Sequence, residues 1–123
     1  MGLIIWITGN SGAGKTTLAK QMKGGNDKIV IIDGDIERAE AGTFVGFSKE
    51  ARWKHNLKIA IKAQQYAMNG YHVIVAVICP YKRLREEVQH ITNCSFIYLA
   101  TERKGLRYPY QYEKDKFYFT KNV

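Results

Sequence analysis

The stretch that decides the fold is Gly9-Asn10-Ser11-Gly12-Ala13-Gly14-Lys15-Thr16, which fits the pattern G-x-x-x-x-G-K-[ST]. It directly follows the apolar run Leu3–Ile7, which is typical of a strand buried on both faces of a parallel sheet. The residues after it, Thr17–Met22, favour a helix that ends at Gly24-Gly25. The sequence therefore predicts a strand, a glycine-rich loop and a helix in succession.

A loop of this kind points successive backbone N–H groups at a polyphosphate, and the helix after it presents its positive N-terminal end. We expect the quoted residues, together with Thr17, to bind a nucleoside triphosphate. In that arrangement Lys15 reaches the β- and γ-phosphates and Thr16 holds Mg²⁺. The alternative is a glycine turn without a nucleotide.

Length and charge limit the remaining choices. With 123 residues, 46% of them hydrophobic, residues 1–123 are expected to form one domain without a separate substrate domain. Nineteen Lys and Arg against eleven Asp and Glu give a net charge of +8, which favours polyanionic partners such as nucleotides, phosphosulfates or nucleic acid. A solvated basic surface is the alternative.

Cellular location is predicted from what the sequence lacks. Cys79 and Cys94 have no metal-ligand spacing, so we expect buried, reduced thiols in a cytoplasmic protein. The N-terminus has no secretory signal pattern, and no stretch approaches the roughly 18 apolar residues of a membrane span.

The rest of the chain alternates strand and helix patterns. Further strands are predicted over Lys28–Asp33, His72–Cys79, Ser95–Leu99 and Lys116–Thr120, and further helices from Ser48 to Gly70 and from Tyr81 to His90. Ile36–Phe47 is predicted to be a loop or short irregular helix, and Ala100–Lys116 a loop. The pattern indicates an α/β, P-loop nucleoside triphosphate hydrolase-like three-layer fold, with a mostly parallel sheet of four or five strands.

The long helix has an apolar stripe and a basic row. The stripe that we expect to face the core comprises Trp53, Leu57, Ala60, Ile61, Gln64, Ala67 and Met68. Lys54, Lys58 and Lys62 lie on the opposite side. We interpret that row as a solvated face.

Two carboxylates follow the second predicted strand. Asp33 and Asp35 are separated by one glycine, at the end of a parallel strand where such sheets bind ligands. One carboxylate can hold a water of the Mg²⁺ shell while the other accepts the proton of an attacking hydroxyl. An ordinary Asp-Gly-Asp turn is the alternative.

Arginines near these carboxylates favour an anionic acceptor. Arg38 follows Asp35 by three residues, and Arg52 lies in the first turn of the long helix with His55 one turn later. Guanidinium groups bind phosphate or sulfate bidentately. Phe47 could stack on a base, or could pack on the helix that it precedes.

Three segments carry a family resemblance: Asp33-Gly34-Asp35-Ile36-Glu37-Arg38, Gly46-Phe47-Ser48-Lys49-Glu50-Ala51-Arg52 and Ile78-Cys79-Pro80-Tyr81-Lys82-Arg83. They resemble the D-G-D-x-x-R, G-F-S-x-x-D-R and I-S-P-[FY]-R motifs of adenylylsulfate kinases. The resemblance runs from Gly2 to about Leu99.

The resemblance implies a reaction and a set of roles. MgATP would phosphorylate the 3′-hydroxyl of adenosine 5′-phosphosulfate, a small anionic substrate, with Lys15, Asp33 and Asp35 as the catalytic groups. Asp35 would be the base, and Thr16 and Asp33 would lie near Mg²⁺. The acceptor would meet Asp35, Arg38, Phe47, Arg52, His55 and Ile78. Family likeness also makes a homodimer an alternative to a monomer.

The chain departs from the family pattern at several positions. His55 stands where the family has a substrate-contacting asparagine, while Ala51, Cys79 and Lys82 replace an aspartate, a serine and an arginine. After Thr101 the family inserts a basic lid that this chain lacks. Arg103, Lys104 and Arg107 could replace the lid, the acceptor could be larger, or catalysis could have decayed.

Three functions are therefore compared. The first is an ATP- and Mg²⁺-dependent kinase acting on adenosine 5′-phosphosulfate. The second is a kinase acting on a nucleic-acid or nucleotide-linked hydroxyl, which the sequence does not favour. The third is a nucleotide-binding protein without turnover.

Overall fold

The computed structural model describes residues 1–9, 14–40, 48–100 and 119–122. In chain order the elements are β1 Ile4–Gly9, α1 Lys15–Lys23, β2 Ile29–Asp33, α2 Gly34–Glu40, α3 Lys49–Met68, β3 His72–Ala76, α4 Lys82–Thr92, β4 Ser95–Ala100 and β5 Phe119–Asn122. The described strands form a sheet in the order β2-β3-β1-β4-β5, and every neighbouring pair is parallel. The predicted α/β fold with a mostly parallel sheet is confirmed.

The direction of each crossover explains which face each helix covers. From β1 the chain moves across the sheet to β2, and both later crossovers, β2 to β3 and β3 to β4, run in the opposite direction. Because crossovers between parallel strands are right-handed, opposite directions place their helices on opposite faces. Helix α1 therefore covers one face, and α3 and α4 cover the other.

Each face of the sheet has its own apolar core. Under α3 and α4, Trp6 of β1 and Val75 of β3 pack with Ile59, Leu84 and neighbouring side chains. Under α1, the next residues along the strands form the core. Ile7 and Ala76 pack against Ala19, Leu18 and Met22 of α1. Successive strand residues thus serve opposite faces, which confirms the three-layer arrangement.

The helix boundaries follow local rules. Gly14 precedes α1 with a φ of 91°, a left-handed conformation that side chains other than glycine rarely adopt. The Ser48 hydroxyl accepts the Ala51 N–H at 3.1 Å and caps α3, as predicted. The segment predicted as a loop or irregular helix begins with α2, and its residues 41–47 lie outside the described part.

Several strand bounds differ from the predicted ones, and the largest difference is at the end of β3. The third strand ends at Ala76, three residues before the predicted Cys79. The Val77 N–H still donates to the Ile7 carbonyl of β1 at 3.3 Å, but the backbone groups of Ile78 and Cys79 bond to side chains instead of to a neighbouring strand. The described part of the last strand begins at Phe119, and residues 101–118 lie outside the description.

The predicted core stripe of α3 is wrong in part. Ile61 and Met68 are 53% and 67% exposed. The buried residues of the helix are Arg52, His55, Asn56, Ile59, Ala60, Ala63 and Ala67. Three polar residues thus occupy the core side at the N-terminal half, which an apolar periodicity does not detect.

The lysine row of α3 is exposed at Lys54 and Lys58, as predicted, but Lys62 is partly buried. Lys54 pairs with Glu50 at 3.3 Å on the surface, and Lys62 pairs with Glu37 at 2.6 Å, so two residues of the lysine row are partly neutralised.

Cys79 and Cys94 are buried free thiols, and burial raises the pKa of Cys94 to about 11. Within the described segments, no helix combines the length and the apolar character that a membrane crossing needs.

Candidate functional site

The candidate site lies where β1, β2 and β3 end. Asp33, the last residue of β2, is level with Ala76 of β3, which in turn is level with Ile7 of β1. After β1 the chain turns to α1 on one face, and after β3 it turns to α4 on the other. Ligands of parallel sheets bind at this kind of switch point, outside the carboxyl ends of the strands.

The glycine-rich loop begins and ends in described residues. Gly9 closes β1 and Gly14 begins the turn into α1, while Asn10–Ala13 lie outside the described part. Lys15, the first residue of α1, donates from Nζ to the Gly9 carbonyl at 3.2 Å. The lysine side chain therefore folds back to Gly9, the first residue of the loop that the sequence assigns to phosphate.

Lys15 has an unusual acidity. Burial lowers the pKa of its ammonium group from 10.5 to about 8, and the nearby Asp35 and Asp33 carboxylates oppose that change. Both carboxylates are thus close enough to act on the lysine charge. A phosphate that approached the group would favour the charged form further.

Thr16 and Asp33 are in direct contact. The Thr16 hydroxyl donates to Asp33 Oδ2 at 2.6 Å, which joins the start of α1 to the end of β2. A hydroxyl and a carboxylate are the oxygen ligands that Mg²⁺ prefers. These two residues therefore fit a magnesium site next to a phosphate loop, although the described residues contain no cluster of three or more His, Cys, Asp or Glu with metal-binding geometry.

The other oxygen of Asp33 organises the start of α2. Oδ1 accepts the backbone N–H of Asp35 at 2.9 Å and of Ile36 at 3.3 Å. These bonds satisfy two N–H groups at a helix N-terminus, which have no partner within the helix. The Asp35 side chain is exposed and remains accessible to a substrate.

Gly34, between the two carboxylates, is held from two sides. A Cβ at this position would collide with the Val77 side chain, so no larger residue fits without a shift. Its carbonyl oxygen lies 3.1 Å from Nε2 of His55, which is 7% exposed. His55 therefore contacts the backbone of the Asp-Gly-Asp turn.

The end of β3 is held by side chains from three other elements. Asn56 donates to the Ile78 carbonyl at 3.2 Å and to the Arg52 carbonyl at 2.9 Å. Thr8 accepts the Cys79 N–H at 3.1 Å, and Arg85 donates to the Cys79 carbonyl at 2.8 Å. Ile78 is thereby held next to the end of β1, because the N–H groups on either side of it bond to Ile7 and Thr8.

The predicted acceptor residues are only partly described. Arg52 is 4% exposed and lies one turn before Asn56, which bonds its carbonyl. Ile78 is half-buried at the end of β3. The Arg38 side chain and the whole of Phe47 lie outside the described part of the chain, as do Arg103, Lys104 and Arg107.

Three buried residues were missed as site components: Thr8, Asn56 and Arg85. Thr8 and Asn56 contact backbone groups 71 and 22 positions away, and Arg85 contacts the Cys79 carbonyl six positions before it. None of these contacts follows from a local sequence pattern. Asn56 offered one signal, because an asparagine on the buried side of a helix needs polar partners. Its two partners are both carbonyls, so its amide nitrogen faces them, and its Oδ1 has no hydrogen-bond partner among the described residues.

Comparison with known proteins places this geometry in a family. The model of the adenylylsulphate kinase family matches residues 1–106. A probable adenylyl-sulfate kinase of Pyrococcus abyssi is 47% identical over 89 residues, which are 69% of this chain and 51% of that protein. One from Archaeoglobus fulgidus is 42% identical over 90 residues, covering 70% of this chain and 58% of its own.

Solved structures agree. The APS kinase of Mycobacterium tuberculosis, in a variant form, aligns with a TM-score of 0.78 at 25% identity, covering 98% of this chain and 85% of that chain. A hexameric APS kinase from Thiobacillus denitrificans aligns with a TM-score of 0.74 at 31% identity, covering 93% and 24%. The chain spans slightly more than half the length of the first curated relatives it matches. With its phosphate loop, its Asp-Gly-Asp turn and a family match over residues 1–106, the chain belongs to the adenylylsulphate kinase family.

Proposed function

We propose that this chain transfers the γ-phosphoryl group of ATP to the 3′-hydroxyl of adenosine 5′-phosphosulfate. The observation that carries the proposal is the convergence of Lys15, Thr16, Asp33 and Asp35 at the carboxyl ends of β1 and β2. Family membership supports ATP as the donor and adenylylsulfate as the acceptor. Residues 1–123 would act as one kinase domain, either as a monomer or as a homodimer.

The donor side would hold MgATP. The loop Gly9–Thr17 would bind the phosphates, with Lys15 placing its charge on the β- and γ-phosphates. Thr16 and Asp33 would hold Mg²⁺, because their oxygens are already in contact. When bound, the metal ion neutralises charge that develops on the transferring phosphoryl group.

The acceptor side would present the hydroxyl to Asp35. That carboxylate is exposed and its backbone is fixed by Asp33, so it can accept the hydroxyl proton as the new P–O bond forms. Arg38 and Arg52 would bind the phosphosulfate, Phe47 would stack on the adenine, and Ile78 would line the pocket. His55 stands at the position of the family's acceptor-contacting residue.

The first test is ADP formation from ATP, Mg²⁺ and adenosine 5′-phosphosulfate. We expect Asp35→Asn to lower kcat by about 10²- to 10⁴-fold, the usual contribution of a general base. Asp27→Asn is the matched control, because Asp27 is an exposed carboxylate in the turn before β2. An acceptor-dependent rate that Asp35→Asn leaves unchanged would refute the assigned base.

The same assay separates the other two functions. A nucleic-acid kinase would form ADP only with an oligonucleotide, and its binding would weaken steeply as salt rises. A protein without turnover would bind ATP but release ADP at one slow rate with every acceptor. Either result would overturn the proposed reaction.

A further inference from the structure

We infer that His55 is a positioning residue that orients Asp35 through the Gly34 carbonyl, and that it does not contact the acceptor. The inference rests on the proposed function, because it assigns the base role to Asp35. It departs from the resemblance, which places position 55 at the acceptor.

The first step is the direction of the hydrogen bond. Nε2 of His55 lies 3.1 Å from the Gly34 carbonyl oxygen. A carbonyl only accepts, so Nε2 must carry the hydrogen. His55 as a whole is 7% exposed, which leaves it little surface for a substrate.

The second step is the planarity of the peptide unit. The carbonyl of Gly34 and the N–H of Asp35 belong to the same rigid peptide group. His55 donates to the carbonyl, and Asp33 Oδ1 accepts the N–H at 2.9 Å. The peptide group is therefore held at both ends, which limits the rotation that would swing the Asp35 side chain.

The third step is the packing around the turn. Gly34 lies against Val77, and a Cβ on it would be 2.8 Å from Val77 Cβ. The turn therefore has no room to move toward β3, and the His55 bond restrains its carbonyl. Loss of that bond would leave the Gly34 carbonyl with only its bond within α2, so the restraint from α3 on the tilt of this peptide group would be lost.

The fourth step concerns the neighbouring residue. Asn56 holds the Ile78 carbonyl at 3.2 Å, just as His55 holds the Gly34 carbonyl. Two adjacent residues of α3 thus bond to the ends of β2 and β3. Helix α3 therefore connects the backbone next to Asp35, the proposed base, with the end of β3.

The test compares three substitutions of His55 in full steady-state kinetics. His55→Leu removes the donor, His55→Gln retains an amide N–H near the Nε2 position, and His55→Asn places the family's shorter amide there. We expect His55→Leu to lower kcat by about 10- to 100-fold, the range for a small misplacement of a catalytic group, with KM for both substrates within about twofold. His55→Gln should restore most of kcat, and His55→Asn should not. A raised KM for adenosine 5′-phosphosulfate with unchanged kcat would overturn the inference in favour of an acceptor contact.

A double variant separates positioning from general destabilisation. If His55 acts through Asp35, His55→Leu should add no further loss when Asp35 is already Asn. Multiplied losses would overturn the inference. Gln64→Leu on the same helix, which also removes a partly buried amide, is the matched control for packing.

A measurement without catalysis distinguishes this inference from the proposed function. In ¹⁵N-resolved NMR spectra, the backbone amide resonance of Asp35 should shift in His55→Leu and return toward its original position in His55→Gln. That result stands even if adenosine 5′-phosphosulfate is not the acceptor. An unchanged Asp35 resonance in the folded His55→Leu variant would refute the positioning role, whatever the activity.

Discussion

The ends of β2 and β3 are both fixed by side chains, but those side chains come from different distances along the chain. At the end of β2, Asp33 caps the residues two and three positions after it. At the end of β3, the partners of Ile78 and Cys79 come from β1, α3 and α4, as many as 71 positions away. The end of β2, on the proposed donor side, is therefore fixed mainly by residues close in sequence. The end of β3, on the proposed acceptor side, depends on tertiary packing.

This difference predicts which property a substitution on each side changes. A substitution on the proposed donor side should remove chemistry directly, because we propose that its residues contact phosphate or metal. A substitution around β3 acts through the backbone, so it should alter stability and acceptor binding and leave nucleotide binding intact.

The largest effect is expected at Asp33. Asp33→Ala removes the bond to Thr16, the proposed metal ligand and both contacts to the start of α2. We expect kcat to fall by at least about 100-fold, because fixed charge near a transferring group contributes that much. Loss of the helix cap should also lower the free energy of unfolding by about 1 kcal/mol.

Steady-state kinetics and urea titration measure these two effects. The control is Asn26→Ala, which removes a side-chain bond to the Lys28 N–H in the turn before β2, away from the site. It should lower stability slightly without changing kcat. If both variants lost activity equally, the donor side would not be the chemical centre.

A smaller effect is expected at Arg85, which tests the acceptor side. Arg85→Met keeps much of the buried side chain but removes the donor to the Cys79 carbonyl. We expect the free energy of unfolding to fall by about 1–3 kcal/mol, the usual cost of a buried acceptor that has lost its partner. The KM for the acceptor should rise because Ile78 is displaced, while the dissociation constant of ATP should not change.

Arg83→Met is the matched control, because Arg83 is exposed on the same helix. It should change neither stability nor KM for the acceptor. Weakened ATP binding in Arg85→Met would contradict the separation of the two sides.

The same contrast explains what the sequence could predict. The strand that ends at Gly9, the helix that begins at Lys15 and the cap at Ser48 depend on residues close together in sequence, and these elements formed as expected. The proximity of Asp33 and Thr16 could also be predicted from the sequence, because parallel strands bring their carboxyl ends to one edge of the sheet. The chain order of crossovers then determines which faces the helices cover.

The failures share one physical cause. The predicted β3 was too long because the Cys79 N–H bonds to the Thr8 side chain instead of to the backbone of a neighbouring strand. The predicted stripe of α3 was rotated because His55 and Asn56 lie inward to satisfy backbone carbonyls. Hydrophobic periodicity assumes that the buried side of a helix is apolar, which does not hold where a helix braces a site.

The smallest effect is a pH dependence confined to the donor side. Lys15 has a pKa of about 8 without nucleotide, because burial opposes its charged form. Bound phosphate would raise that pKa, so binding takes up a proton above pH 8, and affinity for ATP should fall as pH rises. Between pH 7 and pH 9 we expect about a tenfold loss, the change in the charged fraction of a group with this pKa.

Calorimetric titration with ATP at fixed Mg²⁺ measures this loss across the pH range. Lys15→Met should bind weakly with a flat profile, since no titrating ammonium group remains at the loop. Arg85→Met should keep the original profile, because its change lies at the end of β3 and leaves the contact between Lys15 and Gly9 intact. Affinity that is constant or rises with pH in the unsubstituted chain would show that phosphate does not bind beside Lys15. A changed profile in Arg85→Met would instead show that the two strand ends are coupled.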